Sequence, residues 1–369
     1  MSPLKPRIAA LIEAQGPMSV AQFMTLALLD PKAGYYATRA PIGAGRSGGD
    51  FITAPEISQM FGEAVGLWLA QVWADQGRPK QPRLVELGPG RGTLMADMLR
   101  TLARVAPDFL DGLEVVLVEA SPVLEQIQRQ TLAACGASIA WQRQFGQGLA
   151  DRPLFLVANE FFDALPLRQY VKTARGWCER MVTAAAGELG FALAPVPLPP
   201  GAVPPDREPA PEGGVFEASP AATALAEDIA AVIAARGGAA LLIDYGYGEA
   251  AGFGETLQAV GGHRFAEILA APGQDDLSAH VDFAALAEAG RRGGATALGP
   301  VPQGAFLAEL GLAARAEQLA RAHPDAKADI RTALERLTGT DAMGRLFKAL
   351  AFLPPSSGHA PGFPAPASP

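Results

Sequence analysis

The residues best suited to chemistry stand at the ends of short apolar runs. Arg83-Leu84-Val85-Glu86-Leu87 leads directly into Gly88-Pro89-Gly90-Arg91-Gly92. A second run, 114–118, ends on Glu119, and a third, 154–158, ends on Asn159-Glu160-Phe161-Phe162-Asp163. Glycines at that spacing allow a tight turn and close backbone approach to a ligand. A helix opening at Gly92-Thr93 offers unbonded N–H groups to an anion. Glu119, ending the next strand, is placed to accept hydrogen bonds from two ribose hydroxyls. A dinucleotide fingerprint reads GxGxxG, whereas here the third glycine falls one residue early and Thr93 takes the later position. No Lys-Ser/Thr pair follows, so the loop is no P-loop. GxGxG preceded by the acid Glu86 fits S-adenosylmethionine better, because that ligand has no pyrophosphate and carries positive charge that Glu86 can face. The competing reading makes GPGRG a plain turn and Glu119 a solvated strand end.

Such strand ends need a sheet beneath them. Apolar strands are expected at 83–87, 114–119, near Ile139, at 154–158 and at 240–244. Helices are expected between them, one through Leu94, Met98, Leu102 and Val105 and another over 122–131. That alternation predicts a parallel sheet covered on both faces. Nearer the N-terminus, Leu4, Ile8, Leu11 and Ile12 share one helical face, and Val20, Phe23, Met24 and Leu28 share another. Thr53-Ala54-Pro55-Glu56 reads as a capping box that opens a helix with Met60, Phe61, Trp68 and Trp73 on its core side. Between about 168 and 215 the alternation stops. There, 169–172 and 177–182 read as hairpin strands, and 194–214 as a Pro-dense surface loop.

Composition narrows the function classes. A length of 369 residues gives a prior of two to three domains, and 49% hydrophobic residues allow a sizeable core. The net charge of −8 argues against a nucleic-acid partner, since counterion release needs clustered Lys and Arg. Two cysteines, Cys135 and Cys178, exclude a disulfide scaffold and a Cys-rich zinc site. The 4 histidines lack HExxH spacing, so no metal site is expected. The N-terminus shows neither an apolar signal core nor an Arg- and Ser-rich presequence, and no run of about 18 apolar residues occurs. A cytoplasmic protein without a membrane span is therefore expected.

Taken in order, GDFITAPEISQMFGE, GPGRGTLMADMLR, NEFFDALPLRQ, LLIDYGY, DDLSAHVDF, QGAF and MGRLFK resemble the MidA family of class I S-adenosylmethionine-dependent methyltransferases. The resemblance spans residues from about 20 to 353. It implies a Rossmann-like core with an added domain, and S-adenosyl-L-methionine as cofactor. The family includes a mitochondrial complex I assembly factor that methylates an arginine. The resemblance therefore implies a protein substrate, a respiratory complex I subunit or a similar protein. It also places Asp50 and Phe51 beside the cofactor; as plain structure, Asp50 is a loop residue and Phe51 a staple on the following helix.

An arginine acceptor sets its own demands. Its guanidinium stays charged up to a pKa above ~12, so carboxylates must bind it and localise that charge away from the attacking nitrogen. Glu160 and Asp163 are the candidates, at the carboxyl edge where open α/β sites lie and at a spacing that suits one side of a turn. Alternatively, both cap a following helix over 164–170. Asn159 either binds the cofactor's amino-acid end or positions Glu160. His280 reads as a base or substrate-orienting group, or as a satisfied structural histidine. Asp282 reads as the cap of the helix over 283–289. Tyr245 walls the substrate pocket or packs in the core. No physical role follows for Gln303.

The expected class is thus α/β, a Rossmann-like class I methyltransferase sheet with a helical N-terminal addition and a β-rich insertion. The addition covers 1–80, the core 81–168 and 216–353, the insertion 169–215, and a disordered tail 354–369. The cofactor set is Glu86, Gly88, Pro89, Gly90, Gly92, Glu119, Asn159, Asp50 and Phe51; the catalytic set is Glu160, Asp163 and His280. Two other classes compete. One is a non-catalytic assembly or chaperone factor that uses the cofactor structurally, and the other is a nicotinamide-dependent oxidoreductase on the same fold.

Overall fold

The computed structural model describes residues 2–38, 52–205, 207–248, 254–262 and 264–364. Asp50 and Phe51 lie outside them. Two compact units are woven from interleaved segments. One comprises Met1–Arg39, Ala164–Ala222 and Ala250–His280; the other comprises Ala40–Asp163, Thr223–Glu249 and Val281–Pro369. The N-terminal helices are therefore divided between the two units at residue 39.

The larger unit is built on a sheet whose main strands are β1 (Arg83–Leu87), β2 (Glu114–Val118), β3 (Ile139–Gln142), β4 (Leu154–Asn159), β5 (Gly238–Tyr247), β6 (Thr296–Pro302) and β7 (Phe347–Leu353), with the short strand Val281–Asp282 paired in parallel to the end of β5. Their spatial order is β3-β2-β1-β4-β5-β7-β6. The first five are mutually parallel, and β7 runs antiparallel to both β5 and β6. This is the Rossmann-like class I methyltransferase sheet that the resemblance implies. Every residue of β1 and β4 is buried, which explains why β4 reads as an apolar run closed by Asn159 and why even Arg83 and Glu86 of β1 are enclosed. The chain order reverses between β1 and β4, and crevices outside carboxyl ends open at such a switch point. Registers Leu87↔Ala158 and Ile243↔Asn159 bring the ends of β1, β4 and β5 level.

Four helices bear on the site: α1 (Ala54–Ile57), α2 (Gln59–Asp75), α3 (Thr93–Val105) and α4 (Pro122–Thr131). The expected capping box at Thr53 does not form. Thr53 makes no side-chain cap bond, the helix breaks after Ile57, and Ser58 caps α2 by accepting from Met60 N–H. Glu56 instead faces Thr93. Met60, Phe61, Trp68 and Trp73 are core residues, whereas Val105, at the frayed end of α3, is 51% exposed. The tail expectation also needs correcting for residues 354–364. Ala360 and Phe363 are buried, Phe363 meets the Phe306 ring at 5.4 Å, and Trp68 Nε1 donates to Pro361 O at 3.1 Å. An indole N–H buried in an apolar core requires such an acceptor, and Pro361 supplies it.

In the smaller unit, the strand Gly176–Ala185 pairs with Arg168–Thr173, Glu188–Leu193 and Met18–Ser19. Val171↔Cys178 and Lys172↔Trp177 pair the first two as an antiparallel hairpin. The Pro-dense stretch is a packed cover, because Val203 and Ala210 bury against Trp177. Three short strands, Gln258–Gly261, Arg264–Ala266 and Asp276–Ser278, form a separate antiparallel sheet. Among the described residues, no helix is long and apolar enough to cross a membrane.

Candidate functional site

The loop after β1 is shaped by backbone that only glycine accepts readily. Gly88 has φ +60°, and a Cβ there would lie 2.8 Å from the Phe161 ring. Gly92, at φ +82°, is the N-cap of α3, and its N–H donates to Pro89 O at 2.7 Å. Together they turn the chain so that α3 opens beside the carboxyl end of β1. A small cavity lies there, lined among others by Glu86, Gly88, Gly90, Thr93, Asn159 and Glu160. Pro89 is buried in the same lining.

Two acceptor atoms in this lining lack donors. Glu86 Oε2 and Asn159 Oδ1 are buried without a hydrogen-bond partner. Burial, with repulsion from Glu119, pushes the Glu86 carboxyl up to about 8, against the pull of the Met95 N–H. Buried acceptors are almost always satisfied, so this pair calls for a ligand that donates. An ammonium group, which has three donors and no acceptor, has that chemistry. The residues therefore fit the amino-acid end of S-adenosyl-L-methionine.

Glu119 is buried and already engaged. Its Oε1 accepts from Ser121 N–H at 2.7 Å and its Oε2 from Gln128 Nε2 at 2.9 Å, while burial raises its pKa. Gln128 was not foreseen. It is 0% exposed, donates to Gly90 O at 2.8 Å and accepts from Trp141 Nε1 at 2.9 Å. One amide thus ties the glycine loop, the end of β2 and β3 together. Its position four residues after Leu124, on the inner face of α4, was the available signal.

The end of β4 holds the acids. Glu160 adopts φ +51°, a left-handed conformation costly for a residue with a Cβ. Asp244 on β5 explains how the turn is held. Its Oδ2 accepts from the N–H groups of Phe161 (3.0 Å), Phe162 (2.9 Å) and Asp163 (3.2 Å), and its Oδ1 from Tyr245 N–H. No helix follows. A short turn at Phe162–Ala164 gives way to the strand Arg168–Thr173, so the helix-capping alternative fails. Glu160 Oε1 accepts from Ala54 N–H at 2.9 Å and Asn159 Nδ2 at 3.0 Å. Asn159 therefore positions Glu160 while keeping its own oxygen bare. Burial pushes Glu160 up to about 7, with Asp163 adding to the rise and the Ala54 N–H opposing it. Asp244 is raised well above the usual carboxylate range by burial, and by the charges of Asp163 and Glu160. The cluster resists ionisation, and a cation beside it would favour the charged carboxylates.

His280 belongs to the smaller unit, where its N–H donates to Thr256 Oγ1 at 3.0 Å. Asp282 caps the helix Phe283–Arg292 by accepting from Ala285 N–H, as expected. Tyr245 packs against the Phe347 ring at 5.6 Å. Gln303 acquires a structural role, since its Nε2 donates to Leu337 O at 2.9 Å and ties two helices together. Among the described residues, no cluster of three His, Cys, Asp or Glu could hold a metal ion.

Residues 64–301 match a family described as "Putative S-adenosyl-L-methionine-dependent methyltransferase". The mouse mitochondrial protein arginine methyltransferase NDUFAF7 is 35% identical over 96% of this chain and 85% of its own length. Its human counterpart is 34% identical over 96% and 84%. Among solved structures, a Burkholderia thailandensis superfamily member bound to S-adenosyl-homocysteine superposes with a TM-score of 0.85 at 32% identity, covering 97% of this chain and 94% of that one.

Proposed function

The chain belongs to this family of S-adenosyl-L-methionine-dependent methyltransferases, and on that premise we propose that it methylates an arginine side chain of a protein. The observation that carries the acceptor is the carboxylate group formed by Glu160, Asp163 and Asp244, next to a cavity whose bare acceptors suit an ammonium. The cofactor supplies a methyl on a sulfonium, open to in-line attack. Glu86 and Asn159 would hold its amino end, the glycine loop would allow it close backbone approach, and Glu119, which is outside that lining and already accepts from Ser121 and Gln128, would reach a ribose hydroxyl only by giving up one of those bonds.

Glu160 and Asp163 grip the guanidinium from one side, concentrate its positive charge there, and leave the opposite nitrogen electron-rich. As the new N–C bond forms, the methyl–sulfur bond would break and the guanidinium must lose one proton. Glu160, pushed up to about 7, is matched to take it near neutral pH from the nitrogen that it grips. Asp244 does not touch the acceptor and acts by holding the turn. The likeness to mitochondrial protein arginine methyltransferases supports this reading. A respiratory complex I subunit is the first acceptor to test.

The test is Glu160→Gln. Calorimetry with S-adenosyl-homocysteine should show affinity within about threefold of the parent, while methyl transfer, read by mass spectrometry of the acceptor, falls roughly 10²-fold or more. Unchanged turnover sinks the assignment. Full support of partner assembly by a variant without methylation favours an assembly factor instead.

A further inference from the structure

The helix α1 lines the cavity and is fastened to both of its walls. Ala54 N–H donates to Glu160 Oε1 at the end of β4, at 2.9 Å. Glu56 Oε1 accepts from the Thr93 hydroxyl at the first residue of α3, at 2.5 Å. Thr53, Pro55 and Glu56 all belong to the lining that also holds Glu86 and Asn159. A helix of 4 residues has almost no stability of its own. Capping does not hold it either, because Thr53 makes no cap bond and Ser58 serves α2. Ala54 and Pro55 are buried and Ile57 packs on the core, and the two side-chain bonds add the polar fastenings that tie this segment to the cavity walls.

Building on the methyltransferase reading, we propose that Glu56 is a positioning residue that retains the cofactor, by clasping α1 to Thr93 as a strap along the cavity. The two fastenings have different fates. Glu160 is also claimed by the acceptor guanidinium, so the Ala54 bond competes with substrate. The Glu56–Thr93 bond involves neither acceptor carboxylate. It keeps the strap in place while Glu160 turns to the acceptor, and so holds back cofactor and water during transfer.

The strap is tested on the whole chain with S-adenosyl-homocysteine as probe, by its dissociation rate and calorimetric affinity. Glu56→Ala and Thr93→Val should each speed dissociation about tenfold, and the double variant should be no faster than either single one. Glu56→Gln, which keeps an acceptor for the Thr93 hydroxyl, should restore most of the retention. Thermal midpoints are measured alongside, since a purely structural role would lower them without this non-additive kinetic pattern. Unchanged dissociation in the single variants, additive effects in the double variant, or Glu56→Gln behaving like Glu56→Ala each overturn the strap. If the parent chain binds no S-adenosyl-homocysteine, the methyltransferase reading fails and the strap with it. If the parent binds and the variants match it, only the strap fails.

Discussion

Glu86 is enclosed with one oxygen bare, and that makes cofactor capture a proton-linked event. In the cofactor-free protein its carboxyl holds a proton up to about pH 8, because burial and the Glu119 charge oppose ionisation. A cationic ligand favours the ionised form, so binding below pH 8 must expel that proton. Affinity for S-adenosylmethionine should therefore rise as pH increases from 6 toward 8. Calorimetry at pH 6.5 in buffers of different ionisation enthalpy should report net proton release. Binding enthalpies that do not depend on the buffer would remove Glu86 from the ammonium site. Gly88 makes the neighbouring prediction. Gly88→Ala combines φ +60° with a Cβ 2.8 Å from the Phe161 ring, so the loop must shift. Cofactor affinity should fall by about 10-fold or more, for a strain of roughly 1–3 kcal/mol. An unaltered dissociation constant would mean that the loop conformation is not what binds.

At the scale of elements, the site is two strand ends and the parts that hold them. Asp244 gives one carboxylate oxygen to three consecutive N–H groups in the turn after β4. Removing it strands buried donors, and unsatisfied donors cost roughly 1–3 kcal/mol each before relaxation. Asp244→Ala should lower unfolding free energy by about 3 kcal/mol. It should also cut turnover, because the left-handed turn at Glu160 loses its support. Chemical denaturation and a methylation assay read the two effects separately, and a stable, fully active variant would contradict the positioning role. The strand ends themselves were legible in the chain, since β1, β2 and β4 are largely apolar runs that stop on Gly88, Glu119 and Asn159-Glu160. Asp244 was legible only as the end of such a run. Its duty depends on the Ile243↔Asn159 register, which no local pattern encodes.

At the scale of the whole molecule, segments distant in the chain complete one core. Residues 354–364 look like a Pro- and Ser-rich tail, yet Ala360 and Phe363 are buried. Burying one phenylalanine is worth about 1.5–3 kcal/mol, and the Trp68 indole N–H also loses Pro361 if the tail is removed. A chain ending at Leu353 should therefore unfold at lower denaturant, with a loss of roughly 3 kcal/mol. An unchanged midpoint would show that the tail packs without stabilising. The capping box at Thr53 failed for a related reason. The local pattern was correct, but Glu56 had a partner at Thr93, 37 residues away, that no local rule could supply.

What the sequence by itself determined is the sheet and the cofactor loop. Apolar periodicity and glycine spacing are local properties, and burial of unbroken apolar strands leaves few other arrangements. The family motifs carried the rest of the expected α/β class. The tertiary structure alone decided which side chains share the cavity. It brought Glu56, Glu86, Asn159 and Glu160 from three separate segments to one lining, and it engaged Gln128 and Asp244 as supports. His280 is not among the residues of that lining. The physical reason is that a buried polar group is defined by its partners, and those partners are chosen by strand register and helix packing rather than by neighbours in the chain.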